Sequence, residues 1–122
     1  MTSDDHADTL IASSASWLQN AMIAGVSEDI RISSAFVCAY NALQSVQPLY
    51  EGPLEDRPLA SIVESGAARL GLSAADLIIG LRLREWEYYT RYQLQPPPVS
   101  ADEAIEWAQR VRDAAVKLHA TP

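Results

Sequence analysis

The densest run of reactive side chains in the 122-residue chain spans residues 81–92 and reads Leu-Arg-Leu-Arg-Glu-Trp-Glu-Tyr-Tyr-Thr-Arg-Tyr. At about 100° per residue, a helix through this run brings Arg82, Glu85 and Tyr89 together at i, i+3 and i+7. Such a patch is either an ordinary ion pair at the margin of an amphipathic helix or a polar group kept in a cleft or subunit interface for binding or catalysis. The same projection collects Leu77, Ile78, Leu81, Tyr88, Tyr89 and Tyr92 on one apolar arc and sets Gly80, Arg84, Glu87 and Arg91 opposite. The arc is expected to be buried. Arg82 and Glu85 within it must then find partners or stay wet, because an unpaired buried charge costs several kcal/mol.

Little other chemistry is available. The single Cys38 excludes an internal disulfide, and among Phe36, Val37 and Ala39 it reads as a small core residue. His6 and His119 are the only histidines and lie near opposite ends, which leaves no imidazole cluster for a metal and no local nucleophile–base dyad. No metal site and no cofactor is expected. A net charge of −7 argues against general affinity for a nucleic-acid backbone. The start of the chain lacks the basic and apolar regions of a signal peptide, and no run of about 18 apolar residues suits a membrane span. The expectation is a cytoplasmic protein with no membrane association.

The elements that must position these residues are all helical. Leu10, Ile11, Ser14, Trp17, Leu18, Ala21 and Met22 recur at helical spacing, predicting a first helix over about 6–24 with Gly25 closing it. Ser27, followed by Glu28 and Asp29, opens a second helix over 27–47, which buries Ile32, Ala35, Phe36, Ala39, Leu43 and Val46 and turns Arg31, Ser34, Asn41 and Ser45 outward. Pro48 ends it, and residues 48–58, with three of the seven prolines, form the longest loop. A third helix over 58–70 stops at Gly71.

Ser73 and Asp76 form a variant capping box that launches the central helix, predicted over 74–93 and as the longest, containing Ile79 to Tyr92. Pro96-Pro97-Pro98 stops it and stiffens the connection. Ser100 and Glu103 make a full capping box for a fifth helix over 100–119, which faces the core with Ala104, Trp107, Ala108, Val111, Ala114, Ala115 and Leu118. No strand alternation, glycine-rich phosphate loop or repeat is present. The fold expected is a single all-α domain, a five-helix, mostly antiparallel bundle.

The order of these features resembles the HEPN superfamily, small all-α domains of bacterial toxin–antitoxin and defence systems. Residues 31–42, with Ala39-Tyr40-Asn41-Ala42 at their end, look like the family's second helix, and residues 81–89 followed by the turn and the capped last helix look like its signature region. The resemblance implies a HEPN-like bundle, a homodimer, and a site in which an Arg, a polar residue and a His from two subunits converge to cleave RNA without metal. Carried over, Arg84 is the arginine, Glu85 the polar residue, and Tyr89 stands at the histidine position. Apart from the resemblance, a lone bundle would leave the mixed arc partly exposed, so a dimer interface near Arg82, Glu85 and Tyr89 is expected, with Arg82, Tyr88 and Tyr92 as binding or interface residues. A phenol with a reference pKa near 10 is a poor general base or acid near neutrality. The expectation is therefore a catalytically degenerate binding or regulatory module with a protein partner or RNA as ligand; the alternatives are an RNase that retains Arg84 with Glu85 or Tyr89, and a structural subunit of a larger assembly. Arg112 and His119 also satisfy the bare spacing and share a face, and are read as a chance match on a solvated surface.

Overall fold

The computed structural model describes residues 3–48 and 62–121. They contain five α-helices: α1 (Ser3–Ala21), α2 (Glu28–Ser45), α3 (Ile62–Leu70), α4 (Ala74–Tyr88) and α5 (Ala101–Ala120), with a 3-10 turn at Thr90–Gln93. No strand occurs among the described residues, and the expected all-α bundle is observed. The expected loop after Pro48 and helix start at Pro58 lie outside the described residues.

Local chemistry accounts for most boundaries. The Ser73 hydroxyl accepts from the Asp76 N–H at the start of α4, and Ser100 with Glu103 forms the reciprocal capping box of α5. α3 ends in a Schellman turn: Gly71 takes φ +65°, its N–H bonds the Ala68 carbonyl and the Leu72 N–H bonds the Ala67 carbonyl. Two boundaries differ from expectation. α1 stops at Ala21, where the Arg31 guanidinium donates to the last carbonyl at 2.8 Å, so an arginine from α2 satisfies the terminus and Gly25 has no capping role. α4 stops at Tyr88 and not near residue 93, which leaves it at 15 residues, shorter than α1 and α5 with 19 and 20.

The hub of the bundle is α2, which packs against α1, α3, α4 and α5. Ile32, Ala35, Phe36, Cys38, Ala39, Ala42 and Leu43 are buried along it. Ser34 and Ser45, expected outside, are buried as well, because α2 is covered on several sides. α1 folds back antiparallel to α2, pairing Ser13 with Asn41, whereas α5 runs beside α2 in the same direction, since Cys38 lies by Arg112 and Ser45 by His119. Ser14 and Ala21 of the face expected on α1 are buried, whereas Trp17, Met22 just past the helix end, and Leu118 on α5 are exposed, the reverse of the apolar-face reading for these three.

α4 uses a different face from the one its hydrophobicity advertises. Gly80, Leu83 and Trp86 are its buried residues. A Cβ on Gly80 would lie 2.9 Å from Val63 Cγ1 and 3.1 Å from the Trp107 ring, so this glycine is where α4 closes on α3 and α5. Trp86 and Trp107 are both buried with their indole N–H groups bonded, to the Gln95 and Asp76 carbonyls respectively. Leu77, Ile79 and Leu81 are partly buried against the core. The rest of the expected apolar arc points to solvent.

Candidate functional site

With Gly80, Leu83 and Trp86 inward, the outer surface of α4 carries Ala75, Ile78, Arg82, Glu85 and Tyr89, all exposed, with Tyr92 continuing from the 3-10 turn. Tyr89 and Tyr92 are 61% and 79% exposed and Ile78 is 47% exposed. Arg82 and Glu85 are therefore solvated in the single chain, and the electrostatic penalty that burial would impose does not arise there.

Arg84 sits elsewhere. It is half-buried and its Nη1 reaches Glu64 of α3 at 3.0 Å, on the side of α4 turned toward the bundle. Five residues of helix separate it from Tyr89, an angular offset of about 140°. The chain thus distributes the three sequence-derived site residues over two surfaces: Glu85 and Tyr89 face solvent, and Arg84 is held by a carboxylate. Tyr88 lies between, its ring edge-on to Phe36 at 6.0 Å. Partial burial, with the Glu87 charge as a second cause, raises its phenol above the ordinary value.

The segment after α4 is tightly fixed. Glu87, placed on the outer face by the sequence reading, accepts the Ser33 hydroxyl from α2 at 2.6 and 2.7 Å and the Arg91 guanidinium at 3.3 and 3.4 Å. Arg91 also donates to Ser33 Oγ at 3.1 Å and lies 5.3 Å from the Trp86 ring centroid, a cation–π contact. The Leu94 and Gln95 N–H groups bond the Arg91 and Thr90 carbonyls, and Trp86 Nε1 bonds the Gln95 carbonyl. Between these anchors Leu94 takes the left-handed conformation, φ 59° and ψ 26°, while 93% exposed. A leucine in this region costs roughly 1–2 kcal/mol, which the surrounding bonds sustain. The result is a rigid turn that holds Tyr89, Tyr92 and Leu94 in solvent.

A second polar group lines the junction of α1, α2 and α5. Arg112 is half-buried, and its Nε donates to the fully buried Ser14 Oγ at 2.9 Å; Asn41 Nδ2 donates to Ser13 Oγ at 2.9 Å. His119 Nε2 lies 3.0 Å from Ser45 Oγ. The one Ser45 proton is directed to the Ala42 carbonyl at 2.6 Å, so the imidazole is the donor. His119 is exposed, as expected of a solvated surface, whereas Arg112 is half-buried and ties α5 to α1 through Ser14, which corrects that expectation for Arg112. The sequence reading turns Asn41 and Ser45 outward and so misses these bonds; the one signal it holds is Ser14, a hydroxyl on the face of α1 expected to be buried and so in need of a partner. Cys38 is buried beside them, and burial, partly opposed by a Ser14 hydrogen bond, pushes its thiol up to about 11.

Chemically, the outer face of α4 and the turn after it offer exposed aromatic rings, with one charge of each sign from Arg82 and Glu85. No group of three or more His, Cys, Asp or Glu that could hold a metal occurs among the described residues, and no described helix is long and apolar enough to cross a membrane. Comparison with protein-family models, curated proteins and solved structures finds no match for this chain.

Proposed function

We propose that the chain is a HEPN-like binding or regulatory module that works through the outer face of α4 and the turn after it, forms a homodimer there, and has no nuclease turnover. The observation that carries this reading is the exposed row Ile78, Arg82, Glu85, Tyr89 and Tyr92, extended by Leu94 on a fixed turn. Exposed tyrosines and an isoleucine around a pair of opposite charges make a mixed surface of the kind found at interfaces, where tyrosines are frequent anchors. A toxin–antitoxin or defence setting, with RNA or a protein as the regulated ligand, follows from the resemblance of the order of features. The alternative of a metal-independent RNase using Arg84 is less well supported, because Arg84 is paired with Glu64 and points away from Tyr89.

The test is cleavage and binding of a mixed single-stranded RNA by the parent, Arg84→Ala and Tyr89→His. Imidazole in place of the phenol supplies a proton donor and acceptor near neutrality, worth about 10²–10⁴ in rate where general acid–base catalysis operates. The parent is expected to cleave no RNA. Robust, metal-independent cleavage by the parent that is lost in Arg84→Ala would replace this reading with the RNase one.

A further inference from the structure

The exposed positions on α4 have a regular order. Ala75, Ile78, Arg82, Glu85, Tyr89 and Tyr92 are separated by 3, 4, 3, 4 and 3 residues, and every one is exposed. That is the spacing of a two-stranded coiled-coil seam; the four of them within α4, Ala75, Ile78, Arg82 and Glu85, occupy an arc about 80° wide, while Tyr89 is the C-cap and Tyr92 lies in the 3-10 turn that follows. The positions between them, Gly80, Leu83 and Trp86, are committed to the core, so the row lies on the face of α4 turned away from it.

The row is also complementary to itself when reversed. Laid antiparallel on a second copy with the two-fold axis between Arg82 and Glu85, Arg82 meets the other copy's Glu85, and Ile78 lies toward the other copy's Tyr89 at the end of α4. The central pairing sets opposite charges together, and the flanking one sets an aliphatic side chain by an aromatic ring on either side. A parallel arrangement would instead set Arg82 on Arg82 and Glu85 on Glu85, and like charges so placed disfavour that alternative strongly. The Tyr89 N–H bonds the Glu85 carbonyl at 3.0 Å, but Tyr89 itself takes φ −132° and ψ −66°, so it caps the row that α4 presents. Tyr92 and Leu94 stand just beyond, presented by the turn.

We infer that α4 is an antiparallel homodimer seam, with a second copy of this chain as its occupant, and that the Arg82–Glu85 pair fixes the direction and register. The charged pair costs stability relative to an apolar seam and provides specificity, the best-attested use of polar groups at such positions. This assignment rests on the reading of the α4 surface as a self-associating face and adds to it the partner, the orientation and the residue pairs.

Charge reversal tests it, with dissociation constants from sedimentation equilibrium. Arg82→Glu places carboxylates opposite one another twice per dimer, and Glu85→Arg does the same with guanidinium groups; each is expected to weaken the dimer by about tenfold or more. An equimolar mixture of the two single variants pairs an acidic seam with a basic one and should form heterodimers, and the double variant Arg82→Glu/Glu85→Arg should recover the parent constant to within about threefold. Both residues are exposed, so circular dichroism should report unchanged helicity in each variant. A parent that dimerises while both single variants keep its constant would overturn the seam and leave dimerisation standing. A monomeric parent would overturn the seam and the dimer together.

Discussion

Cys38 shows how a residue of reactive type is silenced by its surroundings. Its thiol is buried and raised from 9.0 to about 11, so at neutral pH the thiolate that would attack or bind a metal is essentially absent. A folded-state value above the unfolded one means that the folded chain holds the proton more tightly. That contribution to stability is complete below about pH 9 and is lost as pH rises toward 11. Urea unfolding of the parent at pH 7 and pH 10 should show a loss on the order of 1 kcal/mol that is absent in Cys38→Ala. An aromatic disulfide reagent should react with the native thiol only at the rate of unfolding. Fast labelling of the folded protein would contradict the burial argument.

At the scale of elements, the sequence was informative where a residue type has one local use. Ser73, Ser100 and Gly71 each ended up in the capping role their neighbours implied. It was less informative where tertiary contacts decide. The periodicity of α4 contains two candidate inner faces, and the one with more hydrophobic side chains lost to the one containing Gly80, because a glycine adds nothing to a hydrophobic pattern yet permits the closest approach to Val63 and the Trp107 ring. Arg82, Glu85 and Tyr89 were legible as one patch, but not which way it faced. The early end of α4 was equally hidden, since residues 89–95 contain neither Gly nor Pro; the break depends on Arg91, Glu87, Ser33 and Trp86 holding the turn together.

Two predictions follow from these close fits. Gly66→Ala would put a Cβ 2.9 Å from Leu43 Cβ and 3.1 Å from the Leu43 carbonyl oxygen, where backbone must move, so unfolding experiments should show a loss of about 1–3 kcal/mol despite the better helix propensity of alanine. Leu94→Gly should have the opposite effect. It removes the strain of a left-handed leucine that buries almost nothing, and thermal unfolding should be unchanged or up to ~1 kcal/mol more favourable to the folded state. A destabilisation above about 1 kcal/mol would mean that the Leu94 side chain has a packing role within the fold.

For the whole molecule, the buried core accounts for a bundle organised around α2, and the large apolar side chains left exposed among the described residues include Ile78, Tyr88, Tyr89, Tyr92 and Leu94 on α4 and its turn, Trp17, Met22, Ile23 and Ile30 around the α1–α2 connection, and Val116 and Leu118 near the end of α5. Each copy carries a net charge of −7, so association must overcome mutual repulsion through local contacts. The most direct measurement is the molar mass by light scattering at tens of micromolar protein and near-physiological salt, where the screening length is about 8 Å. The account predicts a mass of twice 13.3 kDa for the parent, falling toward 13.3 kDa in Arg82→Glu. A parent that stays at 13.3 kDa throughout this range would contradict it.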